Sequence, residues 1–421
     1  MKTEVTISPE SIQHTRLENG IDVITEYMPA VRSVSIGVWL KAGSRYEAPA
    51  VNGVAHFLEH MMFKGTERRT PLQIARSLES LGGHLNAFTS KDLTCYYAEV
   101  LDEHLKHAVD ILADILLHST FPEREMEKER SVILDEIQSV EDTPEEAIQD
   151  YLALQLFLDH PLGRPILGKS ETVSHVSRDD LIQFYRNHYV QENVIIAAAG
   201  NVAHEELVDM VATYFQFPKS LSLPQSSSPT RFGQGVHWTY RPINQAHLMM
   251  GFAAPSYGSP EKPVLYMLNT LLGGGMSSRL FQNIREKHGV AYSIYSFTEL
   301  YADVGILGIY LGTDMRNLQK ARQLLDKEIQ RFANGPISRT ELEQTRNQIK
   351  GGLVLSLESA ARRMSWLARQ FIYTGKVEPL DAALKHFDTI TQETIWEFAR
   401  NLLKLEHAVT VGFLPEKGQD D

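Results

Sequence analysis

Residues 53–66 read GVAHFLEHMMFKGT, with His56 and His60 four positions apart and Glu59 directly before the second histidine. On a helix, side chains at i and i+4 leave the same face, so the two imidazoles can share one ion. Zinc suits such a pair because it accepts imidazole nitrogen at about 2.0–2.1 Å and needs no thiolate. Glu59 lies one residue off that line. It can reach a water at the metal, which is the place of a general base rather than of a first ligand. The pattern is the reverse of His-Glu-x-x-His and gives similar geometry when the helix is read backwards. Phe57, Leu58, Met61, Met62 and Phe63 crowd the same helix. Its polar face must therefore be buried or line a cavity, where an uncompensated Glu59 would be costly and a metal removes the cost.

A catalytic zinc needs a third protein ligand and an open position. The stretch EREMEKERSVILDEIQSVEDTPEEA, residues 123–147, reads as a strongly acidic helix, most of whose carboxylates face solvent. Glu129 and Glu136, seven positions apart, share one face, and Asp135 points well away from Glu129. Spacing alone leaves the choice between Glu129 and Glu136 open.

The elements that must position these groups occur twice. SVSIGVWLKAGS (33–44) and QAHLMMGFAAPS (245–256) are strand-like runs ending in small-residue turns. A helical segment follows each, GVAHFLEHMMFKG and PVLYMLNTLLGGG; a shift of 210 lays Leu58 on Leu268, Met62 on Leu272 and Gly65 on Gly275. Then come paired strands, HLNAFTS with TCYYAEVL and VAYSIYSF with VGILGIYL, and an amphipathic helix, HLKHAVDILADIL or NLQKARQLLDKEI. EMEKER (125–130) repeats as ELEQTR (341–346). An internal duplication follows. It predicts an α+β fold of two homologous domains, each an antiparallel sheet with helices packed on one face. The Ser- and Pro-rich stretch SLSLPQSSSPTRFGQG (220–235) reads as a linker between domains at 1–219 and 236–421. The polar cluster is not repeated: His56 falls on Tyr266, Glu59 on Asn269, His60 on Thr270, Glu129 on Thr345 and Glu136 on Gly352.

Composition bounds the function. With 421 residues, 43% hydrophobic and 22% charged, the chain can build more than one sizeable core. A net charge of −12 argues against nucleic acid, which selects a basic stripe. No apolar run approaches the ~20 residues of a membrane span, so no membrane partner is expected. The opening MKTEVTISPE lacks the apolar core of a secretion signal and the Arg-rich pattern of a transit peptide. Cys95 is the sole cysteine, which excludes an intramolecular disulfide and reads as a small core residue. Together these features point to the cytoplasm. LLGGGMSSRL (271–280) lacks the Gly-Lys-Ser/Thr ending of a phosphate loop and follows a helix, so it reads as a helix cap and flexible loop. His104 and His107 read as solvated positions on a helix face.

His56-x-x-Glu59-His60, followed by Glu136 at 76 positions after His60 (136 − 60), resembles the pitrilysin-type zinc metallopeptidases, the M16 family. The likeness is greatest to the group holding the mitochondrial processing peptidase and its bacterial relatives, and it runs over nearly the whole chain. The resemblance implies a zinc endopeptidase with one Zn2+ per chain. His56, His60 and Glu136 would be the ligands, Glu59 the general base, and Glu129 a carboxylate that orients the site. It also implies that the strand holding Asn86 and Ala87 accepts peptide substrate by β-addition. Arg285 and Tyr292, seven apart in the C-terminal half, would contact the substrate carbonyl, with Arg279 as a weaker alternative to Arg285. Family members enclose a chamber between two double-domain subunits, which implies a homodimer whose sites are shared between subunits and short or unfolded peptides as substrates. The family also holds noncatalytic core subunits of respiratory complexes, the alternative reading; in such members the zinc motif is typically degraded, whereas this chain keeps every element.

Overall fold

Residues 11–220, 227–335 and 337–416 are described by the structure, a computed structural model. The N-terminal MKTEVTISPE and residues 221–226 of the expected linker lie outside them. The chain forms two compact units.

The first unit holds a six-stranded sheet of β1 (Ile12–Arg16), β2 (Asp22–Tyr27), β3 (Ser33–Leu40), β4 (His84–Thr89), β5 (Thr94–Leu101) and β6 (Val194–Gly200), in the order β1-β2-β6-β3-β5-β4. The second holds β7 (Gly235–Arg241), β8 (Ala246–Ala254), β9 (Ser293–Leu300), β10 (Gly305–Thr313) and β11 (Val409–Pro415), in the order β7-β11-β8-β10-β9. Without β1, the two orders correspond strand for strand, as a duplication requires. The sheets are antiparallel except for one parallel pair in each, β2 with β6 and β7 with β11, and these pairs also correspond.

Alternation along the strands sorts side chains onto two faces. In β3 and β6, Val34, Ile36, Val38, Leu40, Val194, Ile196 and Ala198 join a core with the helices Val54–Met61 and Leu105–Leu117. Trp39, Ile195, Ala197 and Ala199 point the other way, onto Met364, Leu367 and Ala368 of the helix Ala360–Thr374. Gly37 permits that approach, since a Cβ there would come within 2.7 Å of the Met364 sulfur. Helices therefore cover both faces of this sheet, not one as the sequence pattern suggested. The covering helix comes from the other half of the sequence.

The second unit shows the reciprocal arrangement. Helix Pro144–Phe157, encoded in the N-terminal half, packs Ile148, Leu152 and Leu156 against Met249, Val411 and Phe413 of the second sheet. Residues 138–164 accordingly belong to the second unit and 354–381 to the first. The compact units thus differ from domains bounded at 219 and 236 by one segment exchanged in each direction. A strand's period reveals that both its faces are apolar, but not which distant helix covers the second. Among the described residues no helix is long and apolar enough to cross a membrane.

Candidate metal centre

The helix Val54–Met61 buries Val54, Ala55, Phe57, Leu58 and Met61, which leaves His56, Glu59 and His60 on its half-buried side. Eight residues is short for a helix to persist by its own propensity, so its ends need support. Gly53 occupies the N-cap with φ 102° and has no side chain to cap with. Glu47 takes over that task. Its buried carboxylate accepts from the Gly53 N–H at 2.9 Å, the Ala55 N–H at 2.8 Å and the Asn52 amide at 2.7 Å. The negative charge also suits the helix N-terminus.

The imidazole rings of His56 and His60 lie 4.6 Å apart. Glu136, from the helix Glu123–Glu141, brings Oε2 to 3.8 Å from His56 Nε2 and 3.6 Å from His60 Nε2. Four ligands at about 2.0–2.2 Å in a tetrahedron stand roughly 3.3–3.6 Å apart; the His60 distance falls at the top of that range and the His56 distance just beyond it, close to what zinc needs. Protonation fits as well. His60 Nδ1 meets Glu129 Oε2 at 3.1 Å, and a carboxylate only accepts, so Nδ1 is the donor and Nε2 is the nitrogen turned toward Glu136. Burial, with the neighbouring His60 adding, pushes the His56 pKa down to about 3, so that ring is neutral. Two imidazole nitrogens and a carboxylate oxygen converge at one point. A cation satisfies all three, and two nitrogens with one oxygen leave a fourth position open. Among the described residues this is the one cluster of three such groups close enough to hold an ion.

The structure separates the two glutamates that spacing could not. Glu136 is half-buried and turned to both histidines, whereas Glu129 is buried and reaches only the outer nitrogen of His60. Asp135 is exposed. Glu59 accepts a hydrogen bond from the Thr89 hydroxyl, and burial raises its pKa against that bond and the nearby His60. A carboxyl group shifted upward is a stronger base once ionised, as proton abstraction near neutral pH requires.

Thr89 ends β4, the edge strand of its sheet, which among the described residues pairs only with β5. Asn86 is exposed on that edge and Ala87 half-buried, and the Ala87 N–H is bonded at 2.8 Å by the Asn86 side-chain oxygen instead of by β5. Arg285 and Tyr292 lie in the second unit, both exposed. The Arg285 guanidinium rests over the Phe281 ring at 4.7 Å, and the Tyr292 hydroxyl donates to Asp314 at 2.6 Å. Arg279 is committed to Glu341 at 2.7 Å and to the face of Phe332. His104 is half-buried and His107 exposed, away from any such cluster.

Three residues around the site were not read from the sequence: Glu47, Lys64 and Thr89. Lys64 binds Glu129 at 2.7 Å. It stands four positions after His60, so helical spacing was the available signal; the contacts of Glu47 and Thr89 depend on chain reversals that spacing does not encode.

Residues 22–170 match the family described as Insulinase (Peptidase family M16), and residues 175–349 match that described as Peptidase M16 inactive domain. An uncharacterized zinc protease of Bacillus subtilis (strain 168) is 39% identical over 400 residues, covering 95% of this chain and 98% of the relative. A protease from Helicobacter pylori has a similar fold with TM-score 0.89 at 21% identity, covering 96% of this chain and 99% of its own. A chain from complex III2 of Candida albicans has TM-score 0.84 at 20% identity, covering 95% of each.

Proposed function

The chain belongs to peptidase family M16, and on that premise we propose that it is a zinc-dependent endopeptidase acting on short or unfolded peptides. The observation that carries this reading is the meeting of His56, His60 and Glu136 beside the buried carboxylate of Glu59. Zinc, when bound by those three side chains, supplies Lewis acidity that polarises the peptide carbonyl and acidifies water. Glu59 takes a proton from the attacking water and delivers it to the leaving amine. Thr89 holds the Glu59 carboxylate in place, and Glu129 holds the His60 ring. The β4 edge offers main-chain groups to an extended peptide, which gives broad sequence tolerance. Peptide binding there replaces the Asn86 side chain at the Ala87 N–H. Arg285 and Tyr292 stabilise the oxyanion with a guanidinium and a phenol.

Glu59→Gln keeps the size and polarity of the side chain but not the base. Hydrolysis of a library of unfolded peptides is expected to fall by about 10²–10⁴ with zinc content unchanged. Unchanged hydrolysis would sink the peptidase reading and favour the noncatalytic scaffold. A failure to cleave any peptide by the zinc-loaded wild type would do the same.

The proposal extends to assembly. The zinc ligands occur only in the first unit and the Arg285–Tyr292 pair only in the second, so a homodimer would complete each site with the pair from its partner. Glu59→Gln subunits mixed with Arg285→Ala/Tyr292→Phe subunits would then form dimers with one intact site. Activity should return in part after exchange; demonstrated exchange with no recovery rejects the shared site.

A further inference from the structure

Glu129 is gripped by both of its oxygens. Oε2 meets His60 Nδ1 at 3.1 Å and Oε1 meets the Lys64 ammonium at 2.7 Å. Lys64 follows the zinc helix by one turn: its N–H still bonds the Met61 carbonyl at 3.1 Å, which keeps it on the side of His60. A pair of this kind at the surface is screened by solvent and fixes little. This pair is not at the surface, because the Glu129 side chain is only 10% exposed and that of Lys64 27%. With one oxygen held by the ammonium, the carboxylate has a single orientation in which the other reaches His60.

We propose that Lys64 is a positioning residue for the metal centre, fixing Glu129 so that His60 presents Nε2 toward Glu136. The inference rests on the zinc reading of this site. Lys64 touches neither ligand nitrogen and acts through Glu129 alone. Loss of Lys64 therefore frees the Glu129 carboxylate to turn, and His60 loses its fixed ring plane. Partners of this outer kind typically change metal affinity by about 10–100-fold.

The test is a double-mutant cycle read by zinc affinity, using chelator competition on the full chain, with peptide kcat and KM measured in parallel. Lys64→Met is expected to weaken zinc about tenfold and lower kcat with little change in KM, while Lys64→Arg stays within about threefold of wild type. In a Glu129→Gln background, Lys64→Met should add nothing further. That non-additivity is the signature, since a residue that merely supports the fold would weaken both backgrounds alike. Lys64→Gln, which keeps the length and a donor but not the charge, serves if Lys64→Met fails to fold, with the same expectation. Unchanged affinity in the charge-removing variants, or additive losses with Glu129→Gln, overturns the proposal. A wild type that binds no zinc overturns it together with the zinc reading, whereas additive losses in a zinc-binding protein reject Lys64 alone.

Discussion

Glu129 and Glu136 project from one helix face two turns apart, yet their surroundings give them different chemistry. Glu136 faces two imidazole nitrogens, and replacing its charge removes a ligand; Glu136→Gln should release zinc to a mild chelator. Glu129 touches His60 at its far nitrogen and Lys64 but neither nitrogen turned to Glu136, so Glu129→Gln should keep one zinc per chain at saturating metal, with affinity roughly tenfold lower and activity reduced. Metal analysis after dialysis checks the order, and the reverse order would exchange the two roles. The histidine pair was legible in the sequence because one helix carries both residues and a fixed rise per residue sets their spacing. The choice between the glutamates came only from family resemblance, since their difference arises where two helices meet. Lys64 and Thr89 were missed for the same reason: each acts on a partner outside its own element.

Strand β4 shows how an element can carry function through what it leaves unpaired. Its side chains alternate exposed and half-buried, and among the described residues its outer edge faces no strand. The Ala87 N–H is bonded by the Asn86 side chain and not by the ladder, so a proline there costs the sheet little. If the edge binds substrate, Ala87→Pro removes one main-chain hydrogen bond worth about 1 kcal/mol net. The expected result is a fall of about fivefold in kcat/KM, mostly through KM, with thermal stability nearly unchanged. Unaltered kinetics in a folded variant would remove this edge from the substrate path. The strand itself, like β3, β5, β8, β9 and β10, was legible because alternation and turn residues mark it locally. Partner choice was not. The parallel pairing of β2 with β6 depends on a strand more than 150 positions distant, beyond the reach of any local pattern.

At the scale of the whole molecule, the duplicated halves have traded one helix each. A chain ending at residue 219 would contain β1–β6 but not the helix Ala360–Thr374, leaving Trp39, Ile195 and Ala197 without their cover. Burying side chains the size of Met364 and Leu367 contributes about 1.5–3 kcal/mol each, a large share of an ordinary domain's stability. Residues 1–219 expressed alone should therefore be aggregated or loosely packed, and co-expression with 220–421 should yield a soluble complex with a blue-shifted Trp39 emission. A well-folded isolated half would show the exchanged helix to be dispensable. The same trade sets a clock on synthesis. Trp39 and the Met364 sulfur that meets its indole N–H are 325 positions apart, so at about 5–20 residues per second the ribosome takes roughly 16–65 s to reach the second after the first. For that interval the emerging first sheet has one greasy side open to chaperones, and the first unit's final closure waits for the second half to be translated.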